Sequence, residues 1–145
     1  MKNYEIIDNY ISHGLSNGVE PRDVIMALRD KPENLMSKAD YESYLKLPDE
    51  VTVYRGCSMD EIDENDGPLG ISWSLDYKVA EFFAARSING CVIKATVPKE
   101  VIKVVHMSRH EAEVMLLPFV DYDIVTDSIP DDYDFEAFHE YAKTI

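Results

Sequence analysis

Apolar positions recur at helical spacing over the first fifty residues and at strand spacing after them. Ile6, Ile7, Tyr10 and Ile11 form a stripe at helical spacing, ended by Ser16-Asn17-Gly18. Pro21 opens a second helix at its first turn, with Val24, Ile25 and Leu28 inward, and Pro32 limits it. A third short helix is predicted over Ser37 to Leu45, where Tyr41, Tyr44 and Leu45 are apolar. This part reads as a helical cap on a sheet, with a substrate or cofactor lid as the functional alternative.

The period then changes. Val51-Thr52-Val53-Tyr54 is β-branched and aromatic and predicts a strand ending at Arg55-Gly56. Asp60 to Gly70 reads as an acidic loop, and Ile71-Ser72-Trp73-Ser74 as a short extended segment. Asp76 caps a helix carrying Val79, Ala80, Phe82, Phe83 and Ala84, which Gly90 breaks. Cys91, Ile93, Ala95 and Val97 alternate with Val92, Lys94 and Thr96, the pattern of a half-buried strand stopped by Pro98. Ile102 to His106, Glu113 to Leu117 and Phe119 to Val125 are further strand candidates, with Pro118 marking a kink or an edge. Asp131 to Ala142 predicts a short amphipathic helix.

Helices first and strands later argue for an α+β fold. A length of 145 residues predicts one domain over 1–145: a helical part at 1–48, a mostly β core at 49–128 and a C-terminal tail at 129–145. The formal charge of −14 changes the picture of partners. A chain this acidic repels nucleic acid and anionic membranes and attracts basic surfaces, so direct nucleic-acid binding and membrane association are not expected. The acids cluster at Asp60, Glu61, Asp63, Glu64 and Asp66, and again at Asp131, Asp132, Asp134, Glu136 and Glu140. They read as a solvated surface, or as a mimic of a nucleic-acid backbone. Cys57 and Cys91 show no metal or redox spacing, which suits free thiols in a reducing compartment. No signal-peptide pattern and no membrane-length apolar run is present, so the expectation is cytoplasmic.

Three features carry candidate chemistry. Arg55 ends an apolar strand, and its guanidinium is a fixed fork of donors suited to phosphate or carboxylate; Gly56 beside it admits a ligand close to the backbone. The plainer reading is a surface arginine paired with one of the many acids. Ser72 and Ser74 share one strand face with Trp73 opposite, so two hydroxyls can orient a carboxylate or a sugar hydroxyl; the alternative is a strand edge with Trp73 in the core. Phe82 and Phe83 read as core, with one ring available as a pocket wall. Glu111 and Glu113, spaced two apart before Val114-Met115-Leu116-Leu117, are expected to project from one strand face. Paired carboxylates there serve acid–base work or stabilise a developing cation, against the alternative of two acids at an exposed strand start.

Taken in order, a strand with Arg, then Ser-x-Ser before an aromatic helix, then Glu-x-Glu opening an apolar strand, resembles the arginine–serine–glutamate class of mono-ADP-ribosyltransferases over Val51 to about Val125. The resemblance implies a pair of packed β-sheets with helices at the N-terminal side. It implies NAD as the substrate, bound between the sheets without a glycine-rich dinucleotide loop, and no metal. Arg55 matches the arginine that anchors the NAD phosphates, and Gly56 the position where backbone meets the nicotinamide amide. Ser72 matches the serine that holds the nicotinamide ribose and orients the catalytic acid, Ser74 ends that motif, and Phe82 or Phe83 lines the nicotinamide site. Glu113 matches the catalytic glutamate and Glu111 the acid that engages an incoming guanidinium. The implied activity is transfer of ADP-ribose to a protein acceptor, with arginine as the side chain. Short, acidic relatives of this kind also resemble bacteriophage-encoded proteins, which would place the protein in a host cytoplasm.

The chemistry agrees on its own terms. Cleaving the nicotinamide–ribose bond builds an oxocarbenium-like charge, which a fixed carboxylate stabilises as it develops. One departure concerns the loop Val105-His106-Met107-Ser108-Arg109-His110, which lacks the aromatic target contact of many family members. Its two histidines read as loop or target contacts in preference to a metal pair. Two alternatives stay open: an acidic inhibitor that occupies a basic, nucleic-acid-binding protein surface, and a NAD glycohydrolase that uses water as acceptor.

Overall fold

Three helices precede the first strand in the computed structural model, which describes residues 2–13, 19–64, 71–107, 111–117 and 120–145. They are α1 (Asn3–His13), α2 (Pro21–Ala27) and α3 (Lys38–Leu45). Pro21 stands at the first turn of α2 as expected, preceded by Glu20, whose N–H donates to the Asp23 carboxylate at 3.1 Å. Ser37 caps α3: its hydroxyl accepts from the Asp40 N–H at 3.2 Å. The expected helix stop at 16–18, the Pro118 kink, Phe119 at the start of a strand candidate, and residues 65–70 and 108–110 lie outside the described residues.

The strands are β1 (Glu50–Ser58), β2 (Ser72–Ser74), β3 (Gly90–Pro98), β4 (Ile102–His106), β5 (Glu113–Leu116) and β6 (Asp123–Thr126). They form one antiparallel sheet of six strands in the order β4-β5-β2-β1-β3-β6. This corrects the expected pair of sheets, because hydrogen bonding is continuous from edge to edge. The continuity is uneven. All nine residues of β1 are in register with β3, from Glu50↔Pro98 to Ser58↔Gly90, whereas β1 meets β2 only at Tyr54↔Ser74.

Two segments differ from expectation. β1 does not end at Arg55-Gly56; pairing with β3 carries it on to Ser58. The predicted acidic loop is in part a helix, α4 (Met59–Glu64). Its start is fixed by the Ser58 hydroxyl, which accepts from the Asp60 N–H at 3.1 Å, and by the Met59 N–H donating to the Asn89 carbonyl at 2.9 Å. Asp60 and Glu61 fall in its first turn, where the helix dipole favours anions, and Met59 and Ile62 pack against the core.

The sheet is covered on both faces. Val51, Val53, Cys57, Ile93 and Ala95 point into the main core, which α1, α2 and the residue that caps α2 close with Ile7, Ile11, Val24 and Leu28. On the other face lies α5 (Tyr77–Ala85), capped by Asp76, whose carboxylate accepts from the Lys78 N–H at 2.8 Å. Its Ala80 and Ala84 bury Val92, so β3 is not half-buried over its first part: Val92 belongs to a second core. α5 rests almost directly on the sheet backbone. A Cβ at Gly56 would stand 1.8 Å from the Ala80 carbonyl oxygen, and one at Gly90 would stand 1.8 Å from that of Ala84. Only glycine fits at either place. The last helix, α6 (Phe135–Ala142), starts later than Asp131 and is capped by Asp134.

Cys57 and Cys91 are cross-strand partners with sulfurs 3.8 Å apart, both buried and neither in a disulfide. Burial, with the neighbouring Cys91 thiol adding, pushes Cys57 up to about 12. Among the described residues, no helix is long and apolar enough to cross a membrane.

Candidate functional site

A line of directly paired residues crosses all six strands: His106, Glu113, Ser74, Tyr54, Lys94 and Asp123. At this line β1 and β2 touch. Beyond it they separate, and a cleft of about 530 Å³ opens there. Its walls bring together Arg55, Gly56, Ser72, Ser74, Phe83, Glu111 and Glu113, which the sequence spreads over β1, β2, α5 and the start of β5. Of the site residues expected from the sequence, Phe82 alone lies elsewhere.

Arg55 replaces the missing ladder. Where β1 and β2 stop pairing, its Nη1 donates to the Ser72 carbonyl at 2.8 Å, so a side chain satisfies a strand oxygen that a backbone N–H would otherwise serve. Its Nη2 donates to Glu61 Oε1, also at 2.8 Å, in a pair whose side chains are 23% and 26% exposed. The guanidinium therefore lies at the cleft, already paired with one acid from α4. Its Nε is buried and has no hydrogen-bond partner among the described residues. Gly56 lines the cleft, but its missing side chain answers to α5 and not to a ligand.

Of the two serines, Ser74 has a structural duty. Trp73 is buried in the main core, as the alternative reading had it, but β2 lies between β5 and β1 and not at an edge of the sheet. Ser74 is buried too, and its hydroxyl is spent on local structure: it donates to the Glu111 carbonyl at 2.7 Å and accepts from the Asp76 N–H at 3.0 Å. One hydroxyl thus ties the Glu111 turn to the start of α5.

Glu111 and Glu113 both line the cleft, but strand alternation does not put them there. β5 begins at Glu113, and Ala112 between them has φ of 46°, in the left-handed region. For alanine that conformation costs on the order of 1–2 kcal/mol. It is held from both sides: the Leu75 N–H donates to the Ala112 carbonyl at 2.9 Å, next to the bond from Ser74 to Glu111. Backbone strain stored between two carboxylates that face one cleft is the kind that marks functional sites.

Phe82 is taken by the C-terminal helix. Its ring stacks on Phe138 with centroids 4.4 Å apart and meets Phe135 edge-on at 6.0 Å. The Tyr141 hydroxyl donates to the Asp76 carboxylate, which raises the Tyr141 pKa, and Lys78 lies over the Tyr141 ring at 4.3 Å. A second cavity runs between α5 and α6, lined by Phe82, Phe83, Phe138, His139 and Lys143, and it shares Phe83 and Glu111 with the first. His106 is turned to α3, with Nδ1 3.5 Å from Asp40; His110 lies outside the described residues.

Sequence reasoning missed Tyr10, Ile11 and Ser12 at the end of α1, and Tyr54 and Arg86, all in the cleft wall. The plainer reading of Arg55 foresaw an acidic partner, and that partner is Glu61, which the sequence did not single out. Only Glu61 carried a signal, as one acid of a conspicuous run six residues after the arginine. No family model, curated protein or solved structure matches this chain.

Proposed function

We propose that this protein is a mono-ADP-ribosyltransferase that moves ADP-ribose from NAD to an arginine side chain of another protein. The observation that carries this reading is the convergence of Arg55, Ser72, Glu111 and Glu113 on one cleft, at the place where a six-stranded sheet is held by a single register pair. Helices on the N-terminal side and a cleft between the two halves of the sheet support the ADP-ribosyltransferase-like fold as part of the same proposal, although one continuous sheet stands where a pair was expected.

In this reaction the glycosidic bond to nicotinamide breaks, and the ring nitrogen keeps the bonding pair. Nicotinamide leaves as a neutral molecule and needs no general acid. The ribose takes up the positive charge, and the Glu113 carboxylate stabilises it as it develops. Arg55 holds the diphosphate. Glu111 binds the incoming guanidinium, whose nitrogen forms the new bond to the ribose carbon and gives up its proton to the Glu111 carboxylate. Arginine is a poor nucleophile, so orientation and charge neutralisation at Glu111 carry much of the activation. The strained Ala112 turn sets the direction of both carboxylates relative to one bound substrate.

The test is incubation with NAD labelled in its adenylate part and an arginine-rich acceptor, with nicotinamide release and protein labelling measured separately. Wild-type protein is expected to give both. Glu113→Gln is expected to lose both, and Glu111→Gln to keep nicotinamide release while losing transfer. Free ADP-ribose without labelled protein would make the enzyme a glycohydrolase, and no release at all would refute the proposal.

A further inference from the structure

We propose that Glu61 is a built-in competitor for the anion site of the cleft, and that Trp73 is a second donor of that site. The proposal rests on the reading of Arg55 as the group that meets the phosphates of the substrate. Two buried donors in the cleft wall have no hydrogen-bond partner among the described residues: Arg55 Nε and the indole Nε1 of Trp73, a residue only 4% exposed. They belong together. Tyr54 and Ser74 are in register on antiparallel strands, which makes Arg55 and Trp73 the next facing residues at the point where the strands part.

A buried N–H with no acceptor keeps the whole cost of leaving water. A phosphate or diphosphate ester offers enough oxygens, at enough charge, to serve Arg55 Nε, Arg55 Nη2 and Trp73 Nε1 together. The carboxylate of Glu61 is a partial substitute. It holds Nη2 at 2.8 Å and leaves the other two donors unserved. It comes from a helix of six residues joined directly to β1, so it stays near Arg55 whether or not it is bound. An anion must displace it, and the apparent affinity falls by the fraction of time that the pair is closed.

The experiment is titration of the full chain with inorganic pyrophosphate at low salt, by calorimetry and by NMR of the indole proton. A single tryptophan makes that proton signal unambiguous. Glu61→Gln is expected to bind pyrophosphate roughly tenfold tighter, as release from a competitor that holds the site about nine-tenths of the time requires. The gain is expected to vanish when Arg55→Lys is added to Glu61→Gln. In wild-type protein the indole proton is expected to move downfield on saturation. Unchanged or weaker binding by Glu61→Gln would overturn the competitor, since a carboxylate that only positions Arg55 would lower affinity when lost. An unmoved indole proton would overturn the second donor. The outcomes separate from those of the activity assay. Tighter binding by Glu61→Gln without nicotinamide release from NAD upholds this inference and removes the transferase. Nicotinamide release with no gain in binding does the reverse.

Discussion

The two edges of β1 differ in a way that accounts for the site. Along β3, every residue of β1 is paired, the glycines at 56 and 90 let α5 settle onto the backbone, and Cys57 and Cys91 lie buried side by side. Along β2, a single pair holds, and a side chain takes over the work of the ladder: Arg55 serves the Ser72 carbonyl, while on the far side of β2 Ser74 ties down the carbonyl of Glu111. The closed edge is a support. The open edge exposes backbone and side-chain groups to a cleft while the support keeps their positions fixed, which is what a binding site needs from its scaffold.

The contrast is broken most severely at the closed edge. Gly56→Ala puts a methyl group 1.8 Å from a backbone carbonyl oxygen of α5, so α5 must lift from the sheet. The expected loss is about 3 kcal/mol in chemical denaturation, and a loss below about 1 kcal/mol would show that α5 is not seated as described. At the open edge, Ser74→Ala removes the tie between the Glu111 turn and α5, with both hydrogen bonds of the buried hydroxyl. A loss of roughly 1–3 kcal/mol is expected, together with a fall in acceptor transfer larger than the fall in nicotinamide release.

Ala112→Gly sharpens the comparison in the opposite direction. Relief of the left-handed alanine is expected to stabilise the chain by up to about 1 kcal/mol, while the looser turn slows transfer. A destabilised Ala112→Gly would mean that the turn is not strained. The smallest effect at neutral pH belongs to Cys57. Its folded pKa lies above the unfolded value, so its contribution is complete below pH 9 and is lost as pH rises from 9.0 towards about 12. Denaturation midpoints measured on either side of pH 9 are expected to fall more steeply for wild-type protein than for Cys57→Ala.

Much of the scaffold was legible because local signals agreed with the tertiary outcome. Pro21, Ser37 and Asp76 start helices where their chemistry says they should, and the alternation from Cys91 to Val97 and the run from Ile102 to His106 are strands. α4 was hidden because acids at most of its positions look like solvated loop, and its start depends on Asn89, thirty positions after Met59 in the chain. The set of residues Arg55, Ser72, Glu111 and Glu113 was readable as a set, but the way they meet was not. Alternation predicted a shared face for the two glutamates, whereas a left-handed alanine, invisible in sequence, sets their relation. Phe82 was misplaced because its partner Phe138 comes from a helix packed on α5 from the far end of the chain. The same holds for Arg55: the residue was conspicuous, its pairing with Glu61 required the helix that sequence did not predict.

The most direct test of the central claim is nicotinamide release from NAD by wild-type protein and by Glu113→Gln, whose side chain keeps nearly the same shape without the charge. Release by the wild type and a loss of at least about a hundredfold in the variant are predicted, the scale seen when one stabilising group is removed from a charged transition state. Equal rates in the two proteins, or no release by either, would contradict it.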